Sequence, residues 1–161
     1  MAEAAPAGGC EVVLQNPCGY PEGDEPGLLA WLEALVAELA PEAASFTVRL
    51  ASDREMRRLN RTYRGRDYPT DVLSFPGEAT PEGRHLGDVV VAVPVARRQA
   101  AAAGHPPATE LRVLLLHGAL HCLGHDHETD EGEMERLEAA LRERWIPVAA
   151  AATETGDAEC A

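Results

Sequence analysis

ELRVLLLHGALHCLGHDH, residues 110–127, sets the architecture of this chain. Its first fourteen positions are apolar almost all round a helix, with Thr109 placed to cap them, and such a helix is buried on every side. The last eleven positions hold His117, His121, His125 and His127, four of the chain's six histidines. Residues four apart on a helix are displaced by about 40° and about 6 Å, so His117 and His121 project as neighbours. That spacing lets a helical histidine pair grip one metal ion. On an unbroken helix His125 would sit about 12 Å from His117, and His127 about 9 Å beyond His121 on nearly the opposite face. Gly124 alters this, because glycine ends helices in a left-handed turn. A reversal there brings His127 back over the pair as third ligand and leaves His125 outside the set.

Three neutral imidazoles leave one tetrahedral position for water, the signature of a catalytic zinc site. Bound water then loses its proton near neutral pH and becomes a nucleophile. The spacing therefore predicts a metal-assisted hydrolase holding one Zn2+ per chain through His117, His121 and His127. A structural zinc site using Cys122 is disfavoured, since that residue points about 100° away from His121.

Around this helix the pattern alternates irregularly. EVVLQN (11–16), SFTVRLA (45–51), DVLSFP (71–76) and GDVVVAV (87–93) read as strands. The unbroken run from Val89 to Val93 implies a strand covered on both faces. Helices are expected at 28–40, at about 53–64, in VARRQAAAAG after Pro94, at 110–123 and at about 130–145. Ser52 followed by Glu55 forms a capping-box pattern for the second of these. Without strict βαβ alternation, the mixture indicates an α+β layer.

The 161 residues have room for one domain. It is expected over 11–147, between flexible tails at 1–10 and 148–161. The first ten residues resemble neither a secretory signal nor a transit peptide, and no run approaches the roughly 18 apolar residues of a membrane span. A cytoplasmic protein with no membrane partner is expected. Cys10, Cys18, Cys122 and Cys160 are scattered, which argues for reduced thiols over a disulfide framework. The net charge of −13 discourages nucleic-acid binding taken alone. Arg54, Arg57, Arg58, Arg61, Arg64 and Arg66 nevertheless cluster within thirteen positions, enough for a local basic face.

HxxxHxxGxxH is also the metzincin protease spacing, but those enzymes place their general base, a glutamate, directly after the first histidine. Here that position is Gly118. A second resemblance covers more of the chain. HGALHCLGHDH resembles the HGxLHLxGYDH motif of the YbeY endoribonuclease family. LNRTYRGRDYPTDVLSFP (59–76) is similar to that family's LNxxYRxxDxPTDVLSFP, and HLGDVVVAV (85–93) to its LGDIxI strand. His125 replaces the usual tyrosine and Cys122 a common leucine.

The resemblance implies a zincin-like α+β fold, a mixed four-stranded sheet packed with about five helices. It implies His117, His121 and His127 as metal ligands and Arg64 as the catalytic cation near the metal. The implied activity is a zinc-dependent, single-strand-specific endoribonuclease acting on rRNA precursors in 16S rRNA 3'-end maturation and 70S ribosome quality control. The ribosome or small-subunit proteins are expected partners, and DNA is not. Both zinc and guanidinium suit the charge that builds on phosphorane oxygens during phosphodiester cleavage, and arginine is the better phosphate fork. Arg54, Arg57, Arg58, Arg61 and Arg66 are candidates for the RNA backbone.

Asp126 and His125 are candidates to orient a ligand imidazole. Asp67, Thr70 and Asp71 read better as turn and cap residues than as cleft residues. The general base is left open among Asp126, another carboxylate and the RNA's own 2'-hydroxyl. The competing readings are a zinc peptidase or small-molecule metallohydrolase, and a non-enzymatic ribosome-assembly factor with a structural zinc.

Overall fold

The computed structural model describes residues 9–124 and 132–146. Within these residues run five strands: β1 (Glu11–Gln15), β2 (Ala43–Ala51), β3 (Val72–Pro76), β4 (Ala79–Thr80) and β5 (Gly83–Ala92). Five α-helices accompany them: α1 (Leu28–Leu39), α2 (Asp53–Arg64), α3 (Val93–Ala103), α4 (Pro107–Cys122) and α5 (Glu133–Trp145). The sheet order is β1-β2-β5-β3, and β4 pairs with β5 alone. β1 and β2, and β2 and β5, run parallel, whereas β3 and β4 are antiparallel to β5. This is the expected mixed α+β sheet, with one short strand more than expected.

That extra strand also moves the start of β5. The apolar run begins near Gly87, but pairing begins at Gly83, where Thr80 lies opposite Gly83 and Ala79 opposite Arg84. Arg84 and His85 lack the apolar signature that marks a strand from sequence, and their place is set by the partners on either side.

The valine run is covered on both faces. Val89 and Val91 pack with Phe46 and Val48 of β2 against Leu28, Leu32 and Val36 of α1 and Leu111 and Leu115 of α4. Val90 and Ala92 look the other way, onto Met56 of α2, Leu73 of β3 and Val95 of α3. A third cluster explains why α4 is apolar all round. Its Leu116 and Leu120 meet Leu35 of α1 and Met134 and Leu141 of α5, while Leu111 and Leu115 face the sheet. Each such leucine, taken fully out of water, stabilises the fold by roughly 1.5–3 kcal/mol.

Helix ends follow local chemistry, with two departures from the sequence expectation. Ser52 caps α2 by accepting from the backbone N–H of Glu55 at 3.1 Å. The carboxylate of Glu55 does not reciprocate, because Arg49 Nε donates to it at 2.7 Å. α4 starts two residues before Thr109 could cap it: Pro106 is the N-cap and Pro107 opens the first turn, where a fixed φ and a missing N–H carry no penalty. Gly124 follows the end of α4 in the left-handed region, at φ +100°. The expectation of reduced cysteines holds for Cys10 and Cys122. It fails at Cys18, which is disulfide-bonded.

Candidate active site

The C-terminal half of α4 lies across β3 and β5, and Gly118 is what allows it so close. A Cβ at that position would come 2.6 Å from Val89 Cγ1 and 3.1 Å from Ser74 Oγ. The position faces the sheet, so a peptidase-type glutamate has no room there. With residue 118 pressed on the sheet, His117 and His121 emerge together on another part of the helix. Their rings stand 4.4 Å apart, centroid to centroid, tilted by 54°.

α5 contributes a residue that sequence spacing missed. Glu138 Oε1 lies 3.1 Å from His117 Nδ1, and its side chain is only 14% exposed. A carboxylate that accepts from Nδ1–H fixes the imidazole tautomer and leaves Nε2 as the nitrogen for a metal, a pairing common around histidine ligands. One signal for it was present. Glu138 sits in the stripe formed by Met134, Leu137 and Leu141, where a carboxylate needs a partner.

Cys122 turns away from the pair. A Cβ on Gly87 would come 2.6 Å from its Sγ, so the thiol is wedged against the sheet. Burial pushes this thiol up to about 12, with the Asp88 carboxylate adding to the effect. A thiol turned onto the sheet, away from the histidine pair, is not placed as the fourth ligand of a structural zinc.

The pair meets the chemistry of a two-histidine metal grip. Among the described residues, no cluster of three His, Cys, Asp or Glu side chains is assembled for an ion. His125, Asp126 and His127 lie outside the described residues.

Arg64 ends α2 and is exposed. Among the described residues no contact joins it to the histidine pair: α2 covers the opposite face of the sheet, where the Tyr63 ring meets Phe75 edge-on at 5.2 Å. The flanking arginines are all exposed, but Arg66 reaches Tyr68 Oη at 3.4 Å, and Arg57 and Arg61 are engaged by a carboxylate. Asp67 takes Arg57 in a fork at 2.8 and 3.1 Å and Arg61 at 3.6 Å. The Arg57 guanidinium holds the Asp67 carboxyl below its usual range. Asp71 serves its own loop, accepting from Val72 N at 2.7 Å and from Gln99 Nε2 at 3.2 Å. Asp71 thus bonds a backbone amide of its own loop, as a turn residue does, and Thr70 Oγ1 lies 3.4 Å from it, whereas the contacts of Asp67 are ion pairs with arginine side chains.

An α+β layer with a mixed sheet carries a carboxylate-held histidine pair on its central helix. The family model for endoribonuclease YbeY matches residues 25–145, and the chain belongs to that family. Endoribonuclease YbeY of Halorhodospira halophila is 44% identical over 137 residues, 82% of this chain and 88% of that protein. The Helicobacter pylori protein of the same name is 47% identical over 110 residues, 68% of this chain and 77% of the relative. A Thermotoga maritima protein solved in solution superposes with a TM-score of 0.58 at 28% identity, covering 84% of this chain and 89% of its own. The chain is thus an enzyme, a hydrolase acting on RNA, with a role in rRNA processing. No helix among the described residues is long and apolar enough to cross a membrane.

Proposed function

We infer that the chain is a zinc-dependent endoribonuclease that cuts single-stranded RNA, chiefly rRNA precursors, in 16S rRNA 3'-end maturation and ribosome quality control, on a zincin-like scaffold. The observation that carries the metal assignment is the His117–His121 pair with Glu138 on His117 Nδ1. His127 completes the ligand set in this reading, and His125 stays outside it. The metal, when bound, supplies a Lewis acid and an activated water for attack on phosphorus. Glu138 keeps the His117 imidazole in one tautomer and orientation. Arg64, exposed and with no carboxylate partner among the described residues, is the guanidinium available to the phosphate. Arg54 and Arg58 are better placed for the RNA backbone than Arg57 and Arg61, whose charge is partly spent on Asp67. A ribosomal partner that recruits the enzyme suits the net charge of −13.

Gly118, facing the sheet, speaks against the peptidase alternative. The purified protein should cleave a single-stranded RNA and leave a denatured protein substrate intact, and a chelator should abolish the RNA cutting. Proteolysis, or RNA cutting indifferent to chelator, would overturn the reading.

A further inference from the structure

On the α2 side of the sheet a cavity of about 460 Å³ opens between α2 and strands β1, β2, β3 and β5, within the roughly 300–1,000 Å³ range of small-molecule sites. We propose that it is a guanine subsite, which takes one base of the RNA strand while the phosphates stay on the exposed arginines outside. The inference rests on the reading of the chain as an RNA-cutting enzyme.

The walls divide into a stacking surface and a polar edge. Tyr63, 64% exposed, and Phe75 meet edge-on and offer aromatic faces. Exposed aromatic rings beside a strand-binding face stack single-stranded bases, at roughly 1–3 kcal/mol per base. The polar edge consists of Gln15, Thr47 and Asp88. Arg49, also in the wall, is held by Glu55 at 2.7 Å and by Gln15 Oε1 at 3.0 Å, so its charge is largely answered. The remaining carboxylate, Asp88, repels phosphate and selects an entering group that donates hydrogen bonds.

Asp88 is held in place for that task. Ser45 Oγ lies 2.7 Å from His85 Nδ1, and His85 Nε2 lies 3.2 Å from Asp88 Oδ1. With an ionised carboxylate, His85 donates through Nε2–H and accepts from the serine hydroxyl. No hydrogen bond to Asp88 Oδ2 is formed among the described residues, and the side chain is half exposed. A carboxylate only accepts. Guanine is the base whose Watson–Crick edge carries two adjacent donors, N1–H and the N2 amine, and so matches it in a two-point contact. The Gln15 amide and the Thr47 hydroxyl can donate to O6.

The subsite lies back to back with the histidine pair. Ser74 faces Gly118 of α4, whereas the next residue, Phe75, lines the cavity. Among the described residues β3 pairs with β5 alone and is the edge strand between the two. A strand bound across that edge can seat a base in the cavity and present a nearby phosphate to the other face.

Nucleosides, which carry no phosphate for the metal or the arginines, isolate the base. Titrating guanosine, adenosine, cytidine and uridine into the metal-loaded protein, followed by NMR shifts, should show guanosine binding at least tenfold tighter than the rest. Asp88→Asn should remove that preference, and Tyr63→Ala should weaken all four. Equal binding of the four, or a preference that survives Asp88→Asn, overturns the proposal even if RNA is still cut. Guanosine selectivity lost with Asp88→Asn supports it even if RNA cutting fails.

Discussion

At the level of single residues, the histidine pair was legible because helical spacing alone makes His117 and His121 neighbours, and their rings do stand 4.4 Å apart. Glu138 was not, because it arrives from a helix 21 residues away in sequence and no local period encodes that meeting. If it orients His117 for a metal, Glu138→Ala should lower metal affinity about 10–100-fold, measured by competition with a chromogenic chelator, while circular dichroism stays native. Unchanged affinity would reduce the contact to a surface ion pair. Gly118 carries a different burden. Its absence of a side chain was read first as a missing base, and the structure shows that it is also a packing requirement. Gly118→Ala forces Val89 or the helix to move and should cost about 1–3 kcal/mol, visible as a lowered urea midpoint.

At the level of elements, the strong periods found their structures. The valine run became a doubly covered strand, and the all-round apolar helix became α4 between sheet and α5. What escaped was set by partners instead of by pattern: β4, the polar start of β5, and the proline entry to α4. The Ser52 half of the capping box formed, and its Glu55 half went to Arg49. Ser52→Ala should therefore remove only the hydroxyl contribution, about 1 kcal/mol, read from chemical denaturation. A loss twice as large would mean that the side chain does more than cap α2. The basic face on α2 was also legible in the arginine cluster, but the partial neutralisation of Arg57 and Arg61 by Asp67 was not, since that loop folds back only in three dimensions.

For the molecule as a whole, the sheet separates two faces that differ in chemistry. α4 brings the histidine pair to one face, and α2 brings the arginines and the aromatic-lined cavity to the other, with β3 at the edge of the sheet between them. Composition could not show this, because an acidic total conceals a local basic face. Nor did geometry complete the metal centre among the described residues, where two of the three expected ligands are found. The third decides the account. Metal content and cleavage of an rRNA 3' precursor, measured on the same preparations of wild type, His127→Ala and His125→Ala, test it most directly. The account predicts one zinc per chain and cutting in wild type and in His125→Ala, with both lost in His127→Ala. Zinc and cutting kept in His127→Ala and lost in His125→Ala would contradict it.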